Sequence, residues 1–354
     1  MIEEKKKCIG LVFGGFSNEH DVSISSAKTV FKALNSKINK HRFSVKAFYI
    51  SKYGDWLDSD FSVKILNGEI EYKKLKKGIF NLEKINFLDG IEFQNVDIWF
   101  PLLHGFNGED GSIHGLLSFT KKPLVGCGIL GSALGMDKIL MKTILSNIKI
   151  PQVNYLAIQD KNLNDNEVRK NLCTEIIQKI DFPFFVKPSN SGSSLGISKV
   201  VKNSEILEAL EKAWEIDSRI IIEEGLEVRE LECGIIGTSE LLTSQIGEVT
   251  YKTDWYDYDS KYSIDNKITI PAEISPQLKE EIQAISIRSC RALNIFGFAR
   301  VDFFLEKTSN KIFLNEINTI PGFTSKSMFP MLWEASGLKI NQLVARLVDI
   351  TLEL

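Results

Sequence analysis

The fold is decided by the stretch FFVKPSNSGSSLGISKV, which runs from Phe184 to Val200. Its apolar start predicts a strand, a serine and glycine loop follows, and β-branched residues then predict a second strand. In a Walker phosphate loop the lysine follows the glycines and opens a helix, whereas Lys187 precedes this loop. Gly192 and Gly196 allow backbone conformations that direct successive N–H groups at one anion. The stretch therefore predicts a phosphate-binding hairpin, with a plain surface hairpin as the alternative.

The composition is that of an ordinary globular protein with about two or three domains in 354 residues. It has 43 basic and 46 acidic residues, so it carries no excess charge that would indicate nucleic acid or an anionic membrane as a partner. Its five cysteines form no CxxC pair, which favours a reducing compartment. No apolar stretch approaches the length of a membrane span, and no signal peptide is evident. These features predict a cytoplasmic protein that binds small molecules.

The first part of the chain predicts an open α/β sheet. An apolar strand, Cys8 to Phe13, is followed by two glycines and a helix from about Val22 to Leu34, but the GxGxxG spacing of dinucleotide-binding units is absent. A second apolar run, Val96 to Leu103, is typical of a buried parallel strand. Glu19 and His104 each come just after a strand, so they could converge on one crevice at the carboxyl edge of the sheet. A hydrogen-bonded loop histidine is an equally good interpretation of His104.

A domain boundary is predicted in the glycine-punctuated segment from Gly126 to Gly131. The helix that follows, Asp137 to Leu145, carries Lys138 and Lys142 four residues apart. By itself, that spacing is typical of an exposed helix face.

Two later segments suggest nucleotide binding only weakly. The strand Arg219 to Glu223 runs into Glu224-Gly225-Leu226, where backbone amides and a carboxylate could meet a purine. The tyrosine-rich segment from Lys252 to Ser263 is long and polar enough to be a lid, or it is an ordinary loop.

The strongest chemical signal is FARVDFFLEKTSNKIFLNEINTIPGFTS, from Phe298 to Ser325. Two strands flank a turn, and their period of two places Arg300 and Asp302 on one face of the first strand and Glu316 and Asn318 on one face of the second. Oxygen donors of this kind suit Mg²⁺ or Mn²⁺, and no Cys/His cluster is present for zinc. An exposed face with salt bridges is the alternative. The opposite, buried face is predicted to carry Val301, Phe303, Phe313 and Ile317.

Eight ordered motifs carry a family resemblance: GGFSNEHDVS, FPLLHGFNGEDGSIHG, MDK, FVKPSNSGSSLG, EEGLEVRELE, YDYDSKY, ARVDFF and NEINTIPGFTS. In these motifs the chain resembles the D-alanine–D-alanine ligase family of the ATP-grasp superfamily over nearly its whole length. The resemblance implies an α/β (α+β) ATP-grasp fold with an N-terminal open parallel α/β domain, and a homodimer. It also implies three segments: a substrate domain at 1–127, a central subdomain with a phosphate-covering loop at 128–222, and a C-terminal subdomain with the metal site at 223–354.

The resemblance also implies roles for individual residues. ATP would be bound by Lys138, Lys187, Ser194, Glu223, Leu226, Glu230 and Lys261. Two Mg²⁺ or Mn²⁺ ions would be held by Asp302, Glu316 and Asn318. Glu19 would help to hold the ammonium of the first D-alanine, with His104 close to that substrate and Ser193 and Tyr262 in the same hydrogen-bonding network. Arg300 and the Gly322 amide would stabilise an oxyanion, and Ser327 would bind the carboxylate of the second D-alanine.

The activity implied is the ATP-dependent joining of two D-alanine molecules through a D-alanyl phosphate, with release of ADP and phosphate, for peptidoglycan precursor synthesis. Tyr262 and Met328 favour D-alanine as the second substrate. Lys326, Met328 and His114 are small departures from the family pattern. Three alternatives are a ligase that uses D-serine or D-lactate, an enzyme of the same superfamily with another substrate, and an inactive nucleotide-binding regulatory protein. The last would be expected to have a broken set of metal ligands, whereas all three are present.

Overall fold

The structure is a computed structural model that describes residues 5–75, 93, 95–159, 166–193, 195–250 and 267–353. The described strands form three sheets, of three, four and five strands. The predicted mixed α/β fold is confirmed, with one parallel sheet and two antiparallel sheets.

The first sheet is parallel, and its order is β2-β1-β3. Its strands are β1 (Lys7–Gly14), β2 (Phe43–Ile50) and β3 (Ile98–Pro101). Its helices are α1 (His20–Leu34), α2 (Ser59–Asn67) and α3 (Ser112–Ser118). Apolar side chains of β1 and β3 are buried on both faces, which explains why these strands appear in the sequence as continuous apolar runs.

The second sheet contains the hairpin predicted from FFVKPSNSGSSLGISKV. Its strands are β4 (Tyr155–Ile158), β5 (Phe184–Pro188), β6 (Ser198–Val200) and β7 (Ile220–Glu224), in the order β4-β7-β5-β6. The helices that pack on it are α6 (Asn166–Lys179) and α7 (Ile206–Trp214). The helices α4 (Ile129–Met136) and α5 (Lys138–Asn147) precede it in the chain and pack against the third sheet and its helices. Strands β5 and β6 pair antiparallel on either side of the serine and glycine loop, so the strand–loop–strand prediction is confirmed.

The third sheet is antiparallel, in the order β10-β9-β8-β11-β12. Its strands are β8 (Val228–Gly237), β9 (Leu241–Thr250), β10 (Lys267–Thr269), β11 (Gly297–Glu306) and β12 (Ile312–Asn318). The helices of this part are α8 (Pro276–Ala292), α9 (Met328–Ala335) and α10 (Ile340–Leu352). The boundaries predicted at 127/128 and 222/223 stay predictions.

A β-bulge in β12 corrects one sequence-based expectation. Asp302 pairs with Glu316, but the next residue of β11 pairs with Leu314, so Asn315 is an extra residue in β12. The extra residue reverses the inward and outward alternation beyond it. Phe313 is therefore only half-buried, and the prediction that it faces the core is wrong. Leu314 and Ile312 are buried instead.

An aromatic cluster joins the first sheet to the C-terminal part of the chain. The ring of Phe323 lies 6.3 Å from that of Phe100 in β3, 5.6 Å from that of Phe298 in β11 and 5.4 Å from that of Phe329 in α9. Asn39 adds a hydrogen bond between the same two parts, since its side-chain amide donates to the carbonyl of Asn341 at 2.8 Å. The cluster thereby holds the turn after β12 against the carboxyl edge of the parallel sheet.

No helix in the described ranges has both the length and the apolar character needed to cross a membrane.

Replacing Phe100 with alanine tests whether the aromatic cluster links the first sheet to the C-terminal part of the chain. Phe100 is completely buried, so Phe100→Ala should lower the free energy of unfolding by about 3–5 kcal/mol through lost burial and a residual cavity. The measurement is guanidinium chloride denaturation followed by tryptophan fluorescence. Phe106→Ala is the matched control, since that ring is 63% exposed and its loss should have little effect. Equal destabilisation by the two variants would contradict the assignment.

Candidate active site

A cleft of about 660 Å³ lies between the second and third sheets. Strands β5 and β7 of the second sheet and β8, β11 and β12 of the third contribute its walls. Apolar groups line part of it, and charged groups converge on the rest. The apolar side chains include Phe185, Ile197, Leu226, Leu231 and Phe304. This combination is typical of a site that holds a small molecule with one apolar and one charged part.

One wall of the cleft contains three buried charges in a row. Glu223 in β7 is 2% exposed, and its Oε2 lies 2.5 Å from Nζ of Lys187 in β5. Its Oε1 lies 2.8 Å from Nζ of Lys142, which is 0% exposed. Burial raises the pKa of Glu223, but the charges of Lys142 and Lys187 outweigh it and bring this pKa to about 2.

The burial of Lys142 corrects the expectation that Lys138 and Lys142 mark an exposed helix face. Both side chains are buried, Lys138 at 8% exposure, and α5 directs both toward the cleft side of the molecule. Nζ of Lys138 donates to the carbonyl of Ser191 at 2.6 Å and lies 3.7 Å from Oε2 of Glu316. The lysine therefore stands between the hairpin loop and the carboxylates of the third sheet.

The hairpin loop is held in a conformation that needs glycine at position 196. Gly196 has a φ of 73°, and a Cβ there would lie 2.3 Å from Cδ1 of Ile216. Ser193 also has a positive φ, of 50°. The loop is anchored at its start, where the backbone N–H of Asn190 donates to Asp217 at 2.8 Å. Its residues Ser191 to Ser193 line the cleft.

The paired strands β11 and β12 present their polar side chains together, as predicted. Arg300 lies opposite Asn318, and Asp302 lies opposite Glu316. Arg300 donates two hydrogen bonds to Asp302, from Nε at 2.7 Å and from Nη2 at 2.6 Å. Its Nε also lies 2.8 Å from Oε2 of Glu232 in β8. The guanidinium is thus held between two carboxylates that line the cleft.

The donors on these strands fit a hard cation. Asp302 and Glu316 offer carboxylate oxygens on neighbouring strands, and Asn318 adds a carboxamide oxygen that already accepts the backbone N–H of Ile320 at 2.9 Å. Among the described residues no group of three or more His, Cys, Asp and Glu is arranged as a metal site, so a cation here would depend on the asparagine as third ligand. Oxygen donors alone suit Mg²⁺ or Mn²⁺ rather than zinc.

A second, smaller cavity of about 40 Å³ connects these groups with the first sheet. Glu19 and Glu109 line it together with Lys138, Ser193 and Asn318. Glu19 precedes α1 but makes no side-chain cap for it. A Cβ on Gly105 would lie 2.7 Å from Oε2 of Glu19, and one on Gly192 would lie 3.5 Å from it. The Glu19 carboxylate therefore lies between the loop after β3 and the hairpin loop.

His104 joins the first sheet to the turn after β12. Its Nδ1 lies 2.8 Å from the carbonyl oxygen of Ile320, so Nδ1 carries the proton and donates. Its Nε2 lies 3.0 Å from Oγ of Ser26, which accepts the backbone N–H of Phe323 at 3.0 Å. Burial lowers the pKa of His104, but the Glu109 carboxylate, 3.7 Å from Nδ1, acts the other way and leaves this pKa raised. Both ring nitrogens thus contact groups of the protein.

The same turn holds Gly322 against Ser327. A Cβ on Gly322 would lie 2.7 Å from Oγ of Ser327, so a larger residue would displace that hydroxyl. Oγ of Ser327 accepts the backbone N–H of Thr324 at 3.0 Å and lies 2.8 Å from the Thr324 hydroxyl.

The structure brings most of the predicted site residues to the two connected cavities or next to them. Those lining the cavities are Glu19, Lys138, Lys187, Ser193, Glu223, Leu226, Glu230, Asp302, Glu316 and Asn318. Arg300 contacts the lining residue Asp302, and His104, Gly322 and Ser327 lie at the turn after β12. Ser194, Lys261 and Tyr262, with the predicted lid, lie outside the described residues.

Sequence reasoning missed four residues of this region: Ser26, Glu109, Lys142 and Glu232. A signal existed for each of them. Glu109 lies in the same motif as His104, Lys142 follows Lys138 by one helical turn, and Ser26 follows Glu19 by two turns of α1. Glu232 ends the motif that contains Glu230 and lies on the same face of β8, and the pairing of β8 with β11 brings it opposite Asp302.

Comparisons with known proteins agree along the whole chain. Residues 8–127 match the family model described as D-ala D-ala ligase N-terminus, and residues 144–349 match the model described as D-ala D-ala ligase C-terminus. The chain is 78% identical to a D-alanine–D-alanine ligase of Prochlorococcus marinus strain MIT 9312, with 100% of both chains covered. It is 47% identical to one from strain NATL2A, covering 98% of this chain and 99% of the relative.

Solved structures are similar as well. The VanG D-Ala:D-Ser ligase of Enterococcus faecalis gives a TM-score of 0.83 at 32% identity, covering 98% of this chain and 100% of the other. The D-alanine-D-alanine ligase of Coxiella burnetii gives a TM-score of 0.79 at 29% identity, covering 98% of this chain and 94% of the other.

His114 in α3 is a buried imidazole beside this region. It is 2% exposed, its Nε2 lies 3.5 Å from Oγ of Ser132, and its Nδ1 has no hydrogen-bond partner among the described residues. Burial disfavours the charged ring and lowers the pKa of His114 to about 4, against an ordinary value of 6.5.

Replacing His114 with glutamine should flatten the acid side of the stability profile. The pKa of His114 is lower in the folded chain than in the unfolded chain, so the unfolded chain takes up a proton first as the pH falls. The free energy of unfolding is therefore unaffected by His114 above pH 6.5 and decreases as the pH falls from 6.5 toward 4. Between pH 6.5 and pH 4 the free energy of unfolding of His114→Gln should decrease by about 3 kcal/mol less than that of the parent protein. Denaturation at pH 7, 5.5 and 4 measures this, with the exposed His41→Gln as control. Parallel profiles for the parent and His114→Gln would refute it.

Proposed function

Because the chain belongs to the D-alanine–D-alanine ligase family, we propose that its two connected cavities bind ATP and two molecules of D-alanine, with the residue roles set out below. The protein is an ATP-dependent ligase that forms D-alanyl-D-alanine, a step of peptidoglycan synthesis. One observation carries the assignment of roles. The groups suited to phosphate, to a hard cation and to an ammonium all line cavities that share Lys138, Ser193 and Glu316.

The larger cleft is the proposed ATP site. Lys138 and Lys187 would contact the phosphates, covered by the loop that includes Ser193 and Ser194, and Lys261 would reach them from the tyrosine-rich segment. Glu223 and the Leu226 backbone would contact adenine, and Glu230 the ribose hydroxyls. The apolar lining of the cleft near Leu226 supports the position proposed for adenine, and Lys138 and Lys187 in the same lining support the position proposed for the phosphates.

We propose that Asp302, Glu316 and Asn318 hold two Mg²⁺ or Mn²⁺ ions. Such ions, when bound, would neutralise negative charge on the nucleotide phosphates. The chain's own contribution is the strand pairing that sets Asp302 opposite Glu316, and the two hydrogen bonds from Arg300 that orient the Asp302 carboxylate.

The smaller cavity is the proposed site of the first D-alanine. Glu19 would hold the ammonium group of this substrate, with Ser193 and Tyr262 in the same hydrogen-bonding network and His104 close by. The position of the Glu19 carboxylate, against both Gly105 and Gly192, supports this role, because there it faces the hairpin loop that would cover the γ-phosphate.

The reaction needs groups that position and neutralise charge rather than an enzyme nucleophile. A carboxylate oxygen of the first D-alanine attacks the γ-phosphorus, and ADP leaves with the electrons of the broken P–O bond. The neutral amine of the second D-alanine then attacks the carbonyl carbon of the D-alanyl phosphate. Arg300 and the Gly322 amide would stabilise the oxyanion, phosphate leaves, and the amine proton is lost. Ser327 would hold the carboxylate of the second D-alanine.

We propose that Tyr262 and Met328 favour D-alanine over D-lactate and D-serine as the second substrate. Met328 begins α9 directly after Ser327 and is 5% exposed, so an apolar side chain adjoins the proposed carboxylate site.

We further propose a homodimer in the cytoplasm. Exposed apolar side chains on the contacting helices α3 and α4 support the homodimer, since such groups are common at subunit interfaces. They are Leu116, Ile129 and Leu130. The five cysteines are all free, which supports a reducing compartment.

The assay that tests the proposal follows phosphate release from ATP with Mg²⁺ and D-alanine, and identifies the product by mass. We expect release that depends on D-alanine, yields the dipeptide and does not occur with L-alanine. Faster turnover at neutral pH with D-serine or D-lactate as acceptor would overturn the roles given to Tyr262 and Met328. Binding of ATP without turnover of any acceptor would instead favour a regulatory protein.

Arg300→Ala and Asp302→Ala should each lower kcat by about 100- to 1,000-fold, because one electrostatic group of this kind typically contributes about 3–4 kcal/mol to transition-state stabilisation. Steady-state kinetics at saturating ATP and D-alanine measure the loss. Arg42→Ala is the matched control, since it removes an exposed ion pair with Asp349 and should leave kcat unchanged. A kcat within twofold of the parent for Arg300→Ala would sink the oxyanion role.

A further inference from the structure

One lysine in the row of charges Lys142, Glu223 and Lys187 has no role in the proposed ATP site. Glu223 and Lys187 line the cleft, whereas Lys142 does not line it and is 0% exposed. Lys142 therefore contacts Glu223 from the protein side, and Lys187 contacts it from the cleft side. The second neighbour of the Lys142 ammonium is the ring of Tyr155 in β4, whose centre lies 5.6 Å from Nζ.

Such a deeply buried lysine is costly unless its charge is matched. Removing an ammonium from water costs several kcal/mol, which is recovered only with a close opposite charge. Glu223 is that charge, at 2.8 Å from Nζ of Lys142. The weak polarity of the Tyr155 ring adds a smaller attraction. The contact between Lys142 and Glu223 is therefore a permanent feature of the wall rather than a chance surface pair.

Lys187 has two competing partners once nucleotide is present. In the structure its ammonium lies 2.5 Å from Oε2 of Glu223. If Lys187 turned to a phosphate, the Glu223 carboxylate, 2% exposed, would lose that neutralisation. Lys142 prevents this, because it stays on the other carboxylate oxygen and keeps the anion paired. Without Lys142, the single charge of Lys187 would have to be shared between the carboxylate and the phosphate.

The same contact decides which hydrogen bonds Glu223 can make. An ionised carboxylate only accepts, whereas a protonated one also donates. A carboxylate held ionised in the wall would favour a purine with an exocyclic amino group at position 6. It would repel a purine with a carbonyl oxygen there, because two acceptors would then face each other in a buried place.

We infer that Lys142 is a positioning residue, which holds the Glu223 carboxylate ionised and oriented, so that Lys187 is released to the phosphates and 6-aminopurine nucleotides are preferred. This inference rests on the proposed ATP site. It goes beyond that site because Lys142, a buried residue outside the cleft, would then influence both the choice of base and the affinity for the phosphates.

The test compares ADP and inosine diphosphate, which differ at position 6 of the base, by calorimetric binding to the full chain. Lys142→Met removes the charge and keeps the length of the side chain. We expect it to weaken ADP binding about tenfold or more and to reduce the preference for ADP over inosine diphosphate by a similar factor. In turnover, KM for ATP should rise more than kcat falls. Lys142→Arg, which keeps the charge, should recover part of the preference.

Leu145→Ala is the matched control for a purely structural effect. Leu145 is a buried apolar residue of the same helix, so its loss should lower stability and leave the ratio of the two affinities unchanged. A Lys142→Met protein that is folded and keeps the parent ratio within twofold would overturn the inference.

A double-mutant cycle keeps the inference testable if Lys142→Met alone fails to fold. In a Glu223→Gln background the carboxylate is gone, so adding Lys142→Met should not change the affinity ratio further. A further change of more than twofold there would show that Lys142 does not act through Glu223 and would refute the inference. A parent protein that makes no dipeptide would instead refute the proposed function, so the two failures are distinguishable.

Discussion

The buried carboxylate of Glu223 is the group around which the charged wall of the cleft is built. It is almost inaccessible to water, so it requires close positive charges, and α5 and β5 each supply a lysine. Those two ion pairs tie α5 and β5 to β7. The hairpin loop follows β5, and Lys138 begins α5, so both reach the cleft from elements that the ion pairs hold. The position of the groups proposed to bind phosphate therefore depends on a buried anion.

A second constraint brings the first sheet to the same place. The aromatic cluster around Phe323 joins β3 to β11 and α9, and His104 and Ser26 add hydrogen bonds to the turn after β12. Glu19 lies at the carboxyl edge of the parallel sheet, beside Gly105. Apolar packing thus supplies the energy of the contact, while the two polar side chains set its geometry. A cavity that needs residues from both ends of the chain forms only when this contact is made.

Local patterns predicted the strands, the hairpin and the side chains facing the cleft from β11 and β12, because strand periodicity and turn chemistry act over a few residues. They failed at Phe313, where the extra residue Asn315 reverses the alternation, since a bulge leaves no mark in composition. They also failed at Lys142, whose spacing from Lys138 suits an exposed helix as well as a buried charge. That side chain is buried because Glu223, far away in the chain, lies beside it.

The amino-acid sequence by itself determined the class of fold, the family and the kinds of chemical groups available, because these depend on short motifs and on their order along the chain. The tertiary structure alone decided which of those groups meet. Lys142, Glu223 and Lys187 come from three elements, and Glu232 reaches Arg300 through the pairing of β8 with β11. Electrostatic attraction falls off with distance in space and not with separation in sequence, so only the folded chain sets these pairs.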